Sequence, residues 1–261
     1  MEVVILRDAK EIGGVAADAI GALLGRTPDA VLGLATGSSP LAIYDELAAR
    51  CDAGLISFRH ARGFTLDEYV GLPADHPERY RNVIDSVFVS RVDFAPGAVQ
   101  GPDGLADDIP AACAAYENAI RAAGGVDLQI LGIGTDGHIA FNEPGSSLAS
   151  RTRIKTLTRQ TRIDNARFFG DDVDAVPTHC LTQGLATIME ARHVILVATG
   201  GRKAEAVHHL VEGPVSAMWP ASILQHHAHV TTMLDDAAAQ RLQLAGYYRE
   251  TYLSKPDWQG I

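Results

Sequence analysis

The chain has 261 residues, of which 47% are hydrophobic and 21% charged, an ordinary globular mix long enough to bury a core without disulfide staples. Its formal net charge of −10 excludes a nucleic-acid surface, which needs clustered Lys and Arg, so an anionic substrate would depend on a few local cations in a cleft. The three cysteines Cys51, Cys113 and Cys180 are scattered, no leader-like segment is visible and no apolar run approaches the roughly 20 residues that span a bilayer, so reduced thiols, no membrane and a cytoplasmic setting are expected.

In chain order, apolar β-branched runs predict strands at 3–6, 31–35, 63–66, 128–133, 194–198 and 230–233. Amphipathic stretches predict helices at 9–24, 41–50, 80–88, 108–123, 181–189, 203–211 and 237–252. Segments 72–77 and 94–104, rich in Pro, Gly and Asp, read as loops. The alternation is that of βαβ units, and strands apolar on both faces imply an α/β fold with a parallel sheet covered by helices. No internal repeat is visible, and one domain over 1–261 is expected. Ligands of such sheets bind beyond the carboxyl ends of the strands, so motifs that follow a strand carry most weight.

Three motifs do so. Ala35-Thr36-Gly37-Ser38-Ser39-Pro40 offers a glycine turn, hydroxyls and free N–H groups at a helix start, either an anion cradle or an ordinary N-cap. Phe64-Thr65-Leu66-Asp67-Glu68-Tyr69 ends a strand in two carboxylates, either a general base or an acidic helix start. Gly132-Ile133-Gly134-Thr135-Asp136-Gly137-His138, continuing to Asn142-Glu143-Pro144-Gly145, contains a literal G-x-G-x-x-G. Pro144 and Gly145 interrupt the helix a dinucleotide would need, and Arg151 to Lys155 is basic where a ribose-binding acid should fall. What remains is a histidine among carboxylates, a proton shuttle rather than a metal site, since no paired-histidine spacing is present.

Arg151, Arg153 and Lys155 alternate, which on an extended strand places three cations on one face. With Arg162, Arg167, Arg202 and Lys203 they suggest one or two anion sites. His208, His209, His226, His227 and His229 read as surface or capping residues.

Thr65-Leu66-Asp67-Glu68-Tyr69-Val70-Gly71-Leu72 and the stretch from Gly134 to Pro144 closely resemble the glucosamine-6-phosphate deaminase family, as do Ala149 to Lys155 and Asn165-Ala166-Arg167-Phe168-Phe169. The resemblance runs from Leu32 to at least Gln225. It implies a three-layer α/β/α fold around a mainly parallel, Rossmann-like sheet. It also implies a cofactor-free and metal-free aldose–ketose isomerisation coupled to loss of ammonia, which we class with the hydrolases of amino-sugar catabolism and N-acetylglucosamine degradation. Asp67 matches the family's base for the C2 proton, and His138 the acid–base that opens the sugar ring, tuned by Asp136 and Glu143. Thr36, Gly37, Ser38 and Ser39 match the phosphate loop, helped by Arg167 and Lys203, although many relatives have Pro-Thr-Gly-Gly-Thr-Pro there. An active-site lid is implied around 158–180.

Some bacterial relatives are hexamers activated by N-acetylglucosamine 6-phosphate, and Ser146, Arg153, Lys155 and Thr156 match that pocket. Tyr247 is the choice to complete it, with Tyr248 a second candidate and Arg249 the ungapped one. The rival readings are a 6-phosphogluconolactonase, which shares fold and anionic sugar, and a non-catalytic sugar-phosphate sensor.

Overall fold

The computed structural model describes residues 1–256 and 258–261. The chain opens with β1 (Glu2–Leu6) and α1 (Ala9–Arg26), and continues through β2 (Val31–Leu34), α2 (Leu41–Asp52), β3 (Arg62–Thr65) and β4 (Asp67–Tyr69). Next come α3 (Tyr80–Val87), β5 (Val99–Gln100), α4 (Ile109–Ala122), β6 (Leu128–Leu131), β7 (Arg153–Thr156) and α5 (Arg159–Asn165). The last third holds β8 (His179–Thr182), α6 (Leu185–Met189), β9 (His193–Ala198), α7 (Ala204–Val211), β10 (Val230–Asp235), α8 (Asp236–Ala239) and α9 (Ala245–Leu253). Helix starts follow their capping side chains. Asp8, Asp108 and Thr158 each accept the N–H three residues on, at 2.9, 2.9 and 3.1 Å, satisfying a donor the helix leaves free.

Seven strands form one sheet in the order β1-β10-β9-β6-β2-β3-β5, every pair parallel. β2, β6 and β9 are buried along their whole length, so the sheet is covered on both faces by helices in a three-layer α/β/α, Rossmann-like arrangement. From β2 the order runs outward through β3 to β5, and from β6 outward through β9 to β10. The β2–β6 boundary is therefore the switch point, where a crevice opens beyond the carboxyl ends. A second, antiparallel sheet, β4-β8-β7, begins where the chain leaves β3, and Tyr69, Leu72, Phe141, Leu157 and Cys180 form its own apolar cluster.

The predicted helix 181–189 is corrected. Leu181 and Thr182 belong to β8, and α6 starts at Leu185 after the extended Gly184, because Ser150 caps it there, its Oγ taking the Leu185 N–H at 3.0 Å and its O the Ala186 N–H at 2.9 Å. The predicted helix 237–252 is two helices. Glu212 takes the Gln243 and Leu244 N–H groups at 2.8 and 2.9 Å, which an unbroken helix would use internally. β5 lies inside the predicted loop 94–104. Among the described residues, no helix is long and apolar enough to cross a membrane.

At the amino ends of β9 and β10 three histidines pack together. His193, 8% exposed, stacks on His229 at 3.7 Å between ring centroids, and His227 is buried too, against the surface reading of His227. His227 Nδ1 accepts the His229 N–H at 3.0 Å while Nε2 donates to Ala191 O at 2.7 Å, a pairing that fits a neutral ring. Burial, with His229, His227 and Lys255 nearby, pushes His193 down to about 4.

Candidate active site

Four neighbouring strands, β9, β6, β2 and β3, deliver their carboxyl ends to one rim, and each is followed by a motif singled out in the sequence. After β2 the chain turns at Gly37, whose φ of +86° suits glycine. The Tyr44 hydroxyl holds this turn from below, donating to Ala35 O at 2.8 Å. Helix α2 begins at Leu41, with Pro40 just outside it, and no acidic side chain lies in its first turn to compete for an anion. Among the described residues the N–H groups of Gly37, Ser38 and Ser39 carry no backbone hydrogen bond, so they stand free beside the hydroxyls of Thr36, Ser38 and Ser39. Ser39 also touches the start of the next motif, because a Cβ at Gly132 would lie 3.0 Å from Ser39 Oγ.

After β6 the glycines serve an imidazole rather than a nucleotide. The His138 ring lies over Gly134, where any Cβ would overlap it, and Gly137 (φ +82°) is pressed by Trp219. The segment around Trp219 braces the loop at both ends: Ala221 N donates to Gly137 O at 2.9 Å and Gly145 N to Ala217 O at 2.8 Å. His138 Nδ1 stands 2.7 Å from Asp136 Oδ1 and 3.8 Å from Glu143 Oε2. Asp136 Oδ1 also accepts the His138 backbone N–H at 3.2 Å, and Nε2 has no hydrogen-bond partner among the described residues. Burial works to raise Asp136, but the hydrogen bonds and charge of His138 outweigh it and hold that carboxyl well below the usual range. Glu143, only 3% exposed, is lifted by burial against the Thr161 hydrogen bond.

Asp67 is the first residue of β4, 6% exposed, and burial followed by the Glu68 charge pushes its pKa up to about 8. Glu68 faces elsewhere. It accepts the N–H groups of Tyr69, Tyr80 and Arg81 at 2.9 to 3.0 Å and so anchors the start of α3. The adjacent pair of acids therefore divides into one buried carboxyl, unpaired among the described residues, and one structural cap.

Thr182 and Gln183 bring Asp67 and the His138 loop together. Asp67 lies opposite Thr182 in the small sheet, and Thr182 Oγ1 accepts from Phe141 N at 3.1 Å. Gln183 N donates to Leu66 O at 2.8 Å, while Gln183 O accepts from the fully buried Asn142 at 2.9 Å. Cys180 of the same strand feels both the Asp67 and the Glu143 charge beyond the burial that raises it. Asp67 and the His138 loop are thus both tied to the Thr182–Gln183 segment.

After β9, Gly200 (φ +85°) donates its N–H to Asp235 at the end of β10, at 2.9 Å, which fixes the turn leading to Lys203. Half-buried Lys203 is lowered by burial and then by Arg202 and Arg167, with Asp164 and Asp136 opposing. Arg167 therefore approaches Lys203 from the turn after α5, its guanidinium 4.7 Å over Phe168. Arg151 is not part of any anion site. It pairs with Glu117 and Glu190, at 2.5 and 2.6 Å, because Glu117 is a buried hub that also takes Thr152 and Thr187.

The expected effector residues are only partly gathered. Ser146 is buried with its hydroxyl unpartnered among the described residues, and Arg153, Lys155 and Thr156 lie along β7. Tyr247, 59% exposed, is on α9, which packs along β1, and neighbouring Tyr248 bonds Glu212, so neither tyrosine joins them within one chain. Sequence reasoning missed Thr182, Gln183 and Thr161, which carry no motif; only the Thr158-x-x-Thr161 spacing hinted at a capped helix.

A family model described as glucosamine-6-phosphate isomerases/6-phosphogluconolactonase matches residues 8–233. The glucosamine-6-phosphate deaminase of Mycolicibacterium smegmatis is 82% identical over 261 residues, all of both chains, and that of Streptomyces coelicolor 60% over the same span. A solved monomeric glucosamine-6-phosphate deaminase superposes with a TM-score of 0.90 at 41% identity, over 92% of this chain and all of that one. The 6-phosphogluconolactonase of Thermotoga maritima, at 21% identity and a TM-score of 0.72 over 90% of this chain and 99% of that one, shares the fold alone. The expected hydrolase class is corrected by these names, which are those of deaminases and isomerases. The chain belongs to the glucosamine-6-phosphate isomerase/6-phosphogluconolactonase family.

Proposed function

We propose that this protein converts glucosamine 6-phosphate and water to fructose 6-phosphate and ammonia, with His138 and Asp67 moving the protons. The observation that carries the reading is a buried carboxyl, unpaired among the described residues, tied through one dipeptide to the loop of an imidazole that Asp136 contacts at 2.7 Å. The loop of Thr36, Gly37, Ser38 and Ser39 takes the phosphate, with Lys203 and Arg167 supplying charge that the acidic chain otherwise lacks. His138 Nε2 carries the anomeric hydroxyl proton to the ring oxygen and opens the sugar. Asp67 removes the C2 proton and returns it to C1, through an enolamine. Water then adds to the C2 imine and ammonia departs. The substrate's own carbonyl and amine accept the shifting electrons, so these steps use only this chain's acid–base groups. A phosphorylated sugar does not cross a bilayer unaided, which supports a cytoplasmic site of action.

The proposal extends to an effector. N-acetylglucosamine 6-phosphate would meet Ser146, Arg153, Lys155 and Thr156, with Tyr247 supplied by a second copy, so activation and homo-oligomer formation stand or fall together. Segment 158–180, which carries Arg167, is the proposed lid.

The test is ammonia release from glucosamine 6-phosphate, with and without the N-acetylated sugar, alongside sedimentation of the same sample. Hydrolysis of 6-phosphogluconolactone without ammonia release would replace the deaminase reading, and tight binding without turnover would favour a sensor.

A further inference from the structure

Resting on that deaminase reading, we propose that Thr161 is a positioning residue of the proton relay, its hydroxyl holding Glu143 so that the free carboxylate oxygen faces His138. Thr161 is 6% exposed and sits in the first turn of α5. Its hydroxyl donates to Glu143 Oε1, leaving Oε2 3.8 Å from His138 Nδ1 with no hydrogen-bond partner among the described residues. The direction of that bond is set by Thr158. The Thr158 hydroxyl accepts the Thr161 N–H at 3.1 Å and gives its own hydrogen to Thr161 Oγ1 at 3.0 Å, so the Thr161 hydrogen is left for the carboxylate.

One helix face does more than this. Asn165, four residues on, donates to Tyr69 OH at 3.0 Å, and Tyr69 lies two residues from Asp67 on β4. Arg167 follows in the next turn. Seating α5 therefore sets the Glu143 oxygen, braces the strand that carries the base and delivers a cation for the phosphate in a single docking event. Residues lining a pocket for packing alone would not need a hydroxyl here, since valine has the same shape.

The consequence for pH has a definite sign. Glu143 faces Asp136 and His138 from its own loop, Cys180 from β8 and the Thr161 hydroxyl from α5. A donor to the ionised form favours it, so removing the hydroxyl raises Glu143 further above its ordinary value.

The experiment measures ammonia release by wild type, Thr161→Val and Thr161→Ser, with melting temperatures for each and Thr161→Ala as a second deletion should valine not fit. Losing a hydrogen bond to a charged acceptor is expected to lower kcat about 10-fold or more. The acid limb of the kcat profile should move to higher pH, KM should stay within about 3-fold because no substrate contact is lost, and serine should restore both kcat and profile. Thr161→Val with wild-type kcat and pH profile overturns the assignment, as does Thr161→Ser as impaired as valine. Failure of the wild type itself to release ammonia would instead sink the deaminase reading.

Discussion

Asp67 and Thr182 face each other across the small antiparallel sheet, and the Thr182 hydroxyl accepts the N–H of Phe141, three residues beyond His138. The Asp67 strand and the His138 loop are thus linked through one β-strand residue. Thr182 also lies opposite Arg153, so the same residue separates the base strand from the strand of the proposed effector pocket. Rigid placement of this kind matters because a misplacement of about 1 Å can cost about 100-fold in rate.

Asp67→Asn should lower kcat by about 10²–10⁴-fold while calorimetry still detects binding of glucosamine 6-phosphate. The same change should raise the melting temperature at pH 8 by several degrees. The folded carboxyl titrates near 8 against 3.8 unfolded, so the native protein loses stability as pH rises from about 4 to 8. An asparagine removes that loss. A variant as active as wild type, or no more stable at pH 8, contradicts the assignment.

Gly134→Ala puts a methyl group into the His138 imidazole. The ring must swing away from Asp136, and kcat should fall about 100-fold, with a far smaller change in the melting temperature. Steady-state kinetics beside a thermal melt distinguishes this from general destabilisation.

Glu117→Gln should destabilise by about 1–2 kcal/mol, because it turns the charge-assisted bonds from Thr152 and Thr187 into neutral ones while Arg151 keeps Glu190. Burial works to raise Glu117, but the two threonines and Arg151 prevail and lower it. Its contribution is complete above pH 4.5 and disappears as pH falls through the lower folded value. Urea unfolding at pH 7 and pH 3.5 should show the wild type and variant converging at the acid end.

His193→Gln tests the histidine stack. The folded ring titrates near 4 against 6.5 unfolded, so the protein is fully stabilised above 6.5 and weakens as pH drops toward 4. Between pH 7.5 and 4.5 the wild type should lose about 2 kcal/mol more than the variant, read from denaturant midpoints. Equal losses would remove His193 from this role.

The parallel sheet was legible because its strands are apolar on both faces and so unlike anything else in the chain. The rim motifs were legible because glycine, hydroxyl and carboxylate residues directly follow those strands. The small sheet was not. β4 and β7 are three and four residues long, and Arg153-Ile154-Lys155-Thr156, read as an extended row of cations for an anion site, has no visible partner strand until β8 is beside it. Arg151 was misread for a related reason: its partners Glu117 and Glu190 lie 34 and 39 residues away in sequence. Thr161 and Thr182 act through single hydroxyls, and a lone threonine has no sequence pattern that marks its partner.

β9 begins at His193 and hands the chain on to Lys203, so one strand touches both the histidine stack and the reaction rim. Six residues of extended chain, all apolar after His193, separate its ends by roughly 17–20 Å. Acid tolerance and turnover are thereby set at opposite ends of one apolar strand. An engineer could rebuild the histidine end for survival in acid and leave the turnover profile where it was.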